Sequence, residues 1–308
     1  MENMNDITRK LLEMVSDFKG SFKGAYNIRQ DGECAGRVSS ANIRIDSKTD
    51  KPGLDIHVKP GTKGETVYIP ACVTQGGLDD LVYNDFFIGA DSDIVIVAGC
   101  GVHTDDSSTA RHNGIHRFFV GENARVKYVE KHVGTGKGKG NRKIDPVTDV
   151  VLEKNSYLEM DTTQISGVDY TLRKTTATAA EGAKLVVRER LFTEGEQRAE
   201  TYFQVDLNGE GAGADIVSRS VARDQSYQVY ESTIVGNAPC TGHSECDAII
   251  DGDAIVDASP RLFARNQDAS LIHEAAIGKI AGEQILKFRT LGLTEEEAEN
   301  KIIEGFLA

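Results

Sequence analysis

Short runs that alternate apolar and polar residues, broken by Gly, Asp or Asn, fill most of this 308-residue chain. An apolar side chain at every second position gives a strand one buried face and one wet face. VSSANIRID and GLDIHVKP show this early on, with turn signals at Asp31-Gly32 and Pro52-Gly53. Beyond residue 85 the alternation becomes periodic. A polar turn leads into a small residue and then a strand in GADSDIVIVAG, GENARVKYVEKH, EKNSYLEMDTTQ, AEGAKLVVRERL, GEGAGADIVSRS, GDAIVDAS and NQDASLIHEAA. Most of these recur at roughly thirty residues, the range of repeat architectures. One strand pair cannot bury its apolar face alone, so successive units must stack. A β-helix or β-solenoid is therefore favoured over a doubly wound α/β fold. A two-sheet sandwich is the second choice, because irregular spacing also suits it.

Helical spacing appears only at the two ends. Ile7, Leu11, Met14, Val15 and Phe18 follow a cap at Asn5 or Asp6, and Gly20 is a natural stop. Gly282 to Leu291 reads as a second helix, with Ile285, Leu286 and Phe288 on or near one face and Gly292 ending it. Thr294 and Glu297 form a capping box for a third, whose apolar side is Ile302, Ile303 and Phe306. This closing hairpin either covers the open edge of a solenoid or docks a partner. The expected divisions are an N-terminal helix with a mixed region over 1–70, a β-helix core over 71–272 and a helical domain over 273–308.

A formal net charge of −13 makes nucleic acid and anionic membranes poor partners. No apolar run approaches the ~20 residues that span a bilayer. MENMNDITRK lacks the basic-then-apolar order of a signal peptide. Five scattered cysteines, an odd number, fit reduced thiols and a cytoplasmic location better than a disulfide framework. The glycine-rich GTGKGKGN has neither the Gly-Lys-Ser/Thr ending nor the G-x-G-x-x-G spacing of a phosphate loop, and is expected to be a flexible basic surface loop.

Candidate metal chemistry concentrates in the last fifth of the chain. Cys240, His243 and Cys246 bunch within seven residues, and His273-Glu274 follow about two strands later. Thiolates, imidazoles and carboxylates are ligands for zinc, iron or an iron–sulfur cluster, although a buried cysteine or a lone histidine is more often structural. Cys100, His103, His112 and His116 form a second, weaker constellation. Cys34 and Cys72 have no ligand-like neighbours and read as structural.

With these residues in view, the chain resembles the SufB/SufD family of iron–sulfur assembly proteins, and most closely its compact SufB-like members. The likeness covers most of residues 85 to 308. It is carried by RHNGIHRFFVGENARVKYVEKH, GEQRAETYFQV, HSECDAII and SLIHEAAIGKIAGEQILKFRTLGLTEEEAENKIIEGF. It implies a right-handed parallel β-helix followed by a helical domain that docks a SufC-type ABC ATPase. It also implies a second SufB/SufD-like subunit paired through the β-helices, here as a homodimer. The family's scaffold cysteine stands in a Cys-Asp strand matched by Cys246, and its partner carboxylate in a His-Glu-Ala strand matched by Glu274, with His273 beside it. SufD lacks that cysteine, so Cys246 favours a SufB-like scaffold. Such a scaffold is not itself an enzyme: it builds a transient Fe–S cluster from a sulfur donor and passes it to apoprotein acceptors. A SufD-like stabilising subunit is the alternative. Reduced flavin is implied for the complex, with no residue here to hold it. The family pattern assigns no role to Cys240 or His243, which are further candidates, and the N-terminal region carries no Cys-x-x-Cys. A polysaccharide-active β-helix enzyme is a remote third reading, since aromatics are only 6% of residues and no secretion signal is present.

Overall fold

The computed structural model describes residues 4–308. It is mainly β, a solenoid of about eight turns between an N-terminal helix and two C-terminal helices. The chain runs alternately through two sheets, laying one strand in each per turn. One sheet stacks Lys63–Tyr68, Asp93–His103, Arg125–Thr135, Tyr157–Ser166, Lys184–Thr193, Gly213–Ala222, Thr241–Ile250 and Ser270–Gly278 in parallel. The other stacks Gly53–Val58, Asp79–Ile88, Ala110–Val120, the pair Arg142–Ile144 and Val147–Leu152, Tyr170–Ala179, Arg198–Leu207, Tyr227–Gly236 and Ile255–Ala264. Two antiparallel pairs begin the structure: Ala25–Gln30 with Glu33–Val38, and Ile43–Ser47 with Gly53–Val58.

The repeated polar turn has a structural cause. Asp91, Asn123, Asn155, Gly182 and Gly211 sit above one another at one corner, all with left-handed φ between 55° and 71°. Each donates its backbone N–H to the turn of the next coil, as Asn123 does to Lys154 O (3.0 Å) and Gly182 to Glu210 O (2.9 Å). Asn, Asp and Gly are the residues that tolerate this conformation. The next residue points inward where there is no room for bulk. Ser92, Ala124, Ser156, Ala183 and Ala212 fill that slot and are fully buried.

Inside, apolar ladders form the core, with Phe86 stacked on Phe118 at 4.5 Å and the Tyr128 ring edge-on to Phe118. The middle coils carry a buried polar group instead. Arg173 bonds Glu130 at 2.6 Å and lies 3.5 Å from Glu189, which also accepts from Ser218 (2.7 Å) and Thr201 (3.1 Å). Burial alone would raise the Glu130 carboxyl, but the Arg173 charge holds it well below the carboxylate range.

The first helix, α1 (Asp6–Ser16), starts as its sequence indicates: the Asn5 side chain accepts from Thr8 N at 2.7 Å. It ends earlier than Gly20, at Asp17 in a left-handed conformation. The GTGKGKGN segment is not a free loop. Gly138 N and Gly140 N bond Thr104 O and Asp106 O at 3.1 and 2.9 Å, so its backbone stacks on the preceding coil. A Cβ at Gly140 would overlap the Ser108 carbonyl, which is why glycine stands there.

At the other end, α2 (Gly282–Thr290) buries no residue, and Leu286 and Leu291 are 61% and 75% exposed. The last helix, α3 (Glu295–Leu307), has the expected capping box between Thr294 and Glu297. Its Ile303 and Leu307 pack on Val221, with Phe192, Ile249 and Phe306 around them. The apolar side of α3 is therefore taken up largely by its own sheet, and the exposed leucines lie on α2 (Leu286) and just after it (Leu291). Among the described residues, no helix is long and apolar enough to cross a membrane.

Candidate metal and cluster site

Cys246 lies on the strand Thr241–Ile250, whose inward positions are Gly242, Ser244, Cys246 and Ala248. Its thiol is 1% exposed and belongs to the main core. Burial, helped by the nearby Glu189 and Asp247 charges, pushes its pKa up to about 12. In this arrangement it is a protonated, unreactive thiol.

The covering strand is Ser270–Gly278, the last of its sheet. Its register pairs Ser244 with His273, Glu245 with Glu274 and Cys246 with Ala275. His273 thus shares the inward face with Cys246, one rung away along the strand. Its Nδ1 is buried without a hydrogen-bond partner. Ser244, opposite, is already engaged with Ser232 (2.8 Å) and Tyr230 (3.1 Å).

Glu274 falls on the other face. There it meets His243 and Glu245, and one ligand atom from each of the three lies within 4.8 Å of the others. His243 Nδ1 is 2.8 Å from Asp215 Oδ1 on the preceding coil. Burial would raise the Asp215 carboxyl, but hydrogen bonds from His243 and Arg188 hold it below its ordinary range, so it accepts. Nδ1 is then the donor to Asp215, the kind of carboxylate bracing that metal-binding histidines receive. Two carboxylates and an imidazole are a borderline-hard set suited to a divalent transition ion.

Cys240 joins neither group. It occupies the small-residue corner slot directly after Ala212, as Thr241 N bonding Ala212 O shows, and its thiol pKa is raised by burial. The other constellation forms no ligand group either, although Cys100, His112 and His116 line one cavity. His112 Nδ1 bonds Asp80 at 3.0 Å, His103 contacts Thr135 and Asp105, and buried His116 lies against Tyr128. Among the described residues, only His243, Glu245 and Glu274 come together as a metal-binding group.

Cys240, His243, Cys246, His273 and Glu274 stand out in the sequence as candidate ligands, whereas Glu245 and Asp215 do not. Glu245 was accessible in principle, since it lies two residues from His243 and alternation puts both on one face. Asp215 was not, because only coil stacking brings it beside His243.

Residues 82–306 match the family model described as SUF system FeS cluster assembly, SufBD core domain. The chain belongs to the SufBD family of iron–sulfur cluster assembly proteins. It is 28% identical over 261 residues to an "Iron-sulfur cluster assembly SufBD family protein" of Methanothermobacter thermautotrophicus, covering 83% of this chain and 62% of that one. A protein of the same description from Archaeoglobus fulgidus is 27% identical over 267 residues, covering 86% and 70%. A third, from Methanocaldococcus jannaschii, is 27% identical over 263 residues, covering 82% and 79%. The chain thus spans under two thirds of the Methanothermobacter relative. Within this SufBD chain, every residue of both donor sets except Asp215 lies on the last two strands of one sheet. The strands before Asp79 and the N-terminal helix fall outside the matched core.

Proposed function

We propose that this chain is a SufB-like scaffold, on which a transient Fe–S cluster is built and then passed to apoproteins. The observation that carries this reading is the concentration of donors at the open end of the solenoid. Cys246 and His273 face inward there, and His243, Glu245 and Glu274 face outward on the same two strands. Ferrous iron is taken first by the imidazole–carboxylate group, whose ligands exchange more readily than thiolates. Cluster growth with sulfide from a sulfur donor then requires Cys246 as thiolate, and so requires the covering strand to move. Anaerobic reconstitution with iron and sulfide tests this. Cys246→Ser is expected to lose the visible absorption of the cluster yet keep the fold. Undiminished cluster content in that variant removes Cys246 from the site.

Movement of the end needs leverage, and the partners supply it in this reading. The two edge strands, Ile255–Ala264 and Ser270–Gly278, carry exposed Ile255, Phe263, Ile272 and Ile277. Unpaired strand edges with apolar side chains pair with another chain, here a second copy in a two-fold arrangement. Light scattering is expected to give a dimer that Phe263→Asp with Ile272→Asp converts to monomer. A SufC-type ABC ATPase docks on the exposed face of α2. Reduced flavin remains an expectation for the whole complex, as no residue here is assigned to it.

A SufD-like role, pairing and docking without a cluster, is the second reading. The buried state of the Cys246 thiol favours it, since an unopened end offers no thiolate. Iron bound by His243, Glu245 and Glu274 without any Cys246-dependent cluster would decide for it.

A further inference from the structure

A marked departure from the acidic character of the chain lies at its other end. Between the first strands of the two sheets is a cavity of about 260 Å³, whose lining includes the exposed Cys34. Its walls carry Arg29, Arg37, Lys48 and Lys51, and no Asp or Glu among the described residues. In a protein of net charge −13, four cations without a carboxylate on the same wall require an explanation.

Two of the four are neutralised from behind. Arg29 pairs with Asp80 at 2.6 Å, and Lys48 pairs with Asp55 and, at 2.8 Å, with Asp85. The other two are not. Arg37 donates only to neutral oxygens, Asn27 Oδ1 and Ser47 Oγ, each at 2.8 Å. Lys51 lies over the Tyr83 ring, 4.6 Å from its centre. Neither has a carboxylate partner among the described residues. A guanidinium held in place beside a movable ammonium is an arrangement that takes phosphate oxygens.

The floor makes a further demand. Asn84 is 5% exposed, lines the cavity, and its Oδ1 has no hydrogen-bond partner. A buried unpaired acceptor costs stability until a donor arrives. Leu54, Ile69 and Val82 add an apolar wall. Two uncompensated cations match a dianion, and the unpaired acceptor with the apolar wall matches an organic body bearing a hydroxyl. The geometry points to a binding site for a small phosphate monoester, a site formed largely by strands that precede the SufBD core match.

The reporter is built in. Of the five cysteines, all unpaired, Cys34 alone is exposed, and it lines the cavity. The rate of Cys34 alkylation by iodoacetamide is measured on the full chain, with Cys34→Ser as the blank. Ribose 5-phosphate is expected to slow the reaction at least fivefold, inorganic phosphate less, and acetate at equal ionic strength not at all. Protection by ribose 5-phosphate is expected to vanish in Arg37→Ala/Lys51→Ala. Lys51→Ala alone, whose side chain makes no hydrogen bond or ion pair among the described residues and touches only the Tyr83 ring, serves if the double variant melts early, and is expected to weaken protection severalfold. Equal protection by acetate, no protection by ribose 5-phosphate, or full protection in the Lys51 variant each overturns the proposal.

Discussion

Glu274 and Cys246 lie on adjacent strands but face opposite ways, because Glu274 is in register with Glu245, one residue before the cysteine. A strand turns successive side chains to opposite faces, so no rotamer change brings the two together. If both hold one cluster, the last strand must shift register or leave the sheet. If they act in sequence, one face receives iron and the other receives the cluster.

The buried thiol is the simplest of these points to measure. With its pKa pushed up to about 12, Cys246 is expected to react with a neutral maleimide at pH 8 more than tenfold slower than exposed Cys34. Removing residues 266–308 uncovers that rung and should raise the Cys246 rate towards that of Cys34. Mass spectrometry of the labelled peptides reads both sites in one experiment. Rapid labelling of Cys246 in the intact chain contradicts the closed end.

The iron-entry group separates from the thiol by the same logic. His243→Ala or Glu274→Gln is expected to weaken Fe²⁺ binding tenfold or more under anaerobic titration, while Cys246→Ser leaves that affinity unchanged. Asp215→Asn also loses the Arg188 pair, but it reaches the metal group through His243, so its expected loss of Fe²⁺ affinity is smaller and is not additive with His243→Ala. Equal losses from Cys246→Ser and Glu274→Gln would indicate one shared site.

Stability should fall in mild acid in a way that His116 explains in part. Burial lowers its pKa from 6.5 to about 4, so the folded state holds it neutral while the unfolded chain protonates it. The sign follows: its contribution is complete above pH 6.5 and is lost as pH falls towards 4, at no more than about 1.4 kcal/mol per pH unit. Urea unfolding between pH 4.5 and 7.5 should show a shallower dependence in His116→Gln than in the parent. Parallel curves would mean that His116 is not the group responsible.

The two C-terminal helices predict opposite phenotypes. Leu286→Asp on α2 and Leu291→Asp just after it alter exposed positions and should leave the melting temperature nearly unchanged while abolishing co-purification of the proposed ATPase partner. Ile303→Ala on α3 vacates a contact with Val221 and should cost about 2 kcal/mol or more. ATPase binding retained by the α2 variants would move the docking surface elsewhere.

Arg173 offers a test of the polar interior. Arg173→Met leaves Glu130 buried without its cation, and breaking a buried pair in this way costs about 3–5 kcal/mol. The combined Arg173→Met and Glu130→Gln variant should recover a measurable part of that loss in chemical denaturation.

Much of this molecule was determined by sequence alone, because its rules are local. The Asn, Asp or Gly of each turn needs only its own left-handed φ, and the small residue after it needs only the corner. Repeated at a regular spacing, those two demands specify a stacked solenoid before any long-range contact is known. The caps of α1 and α3 were legible for the same reason. What tertiary structure decided is how successive coils align. Coil register puts Asp215 behind His243, turns Glu274 away from Cys246, and drops Cys240 into the corner slot after Ala212. It also lays α3 on its own sheet while leaving α2 free. A one-residue slip between coils would reverse every one of the facing relationships, and no window of sequence records the register of a neighbour about thirty residues away.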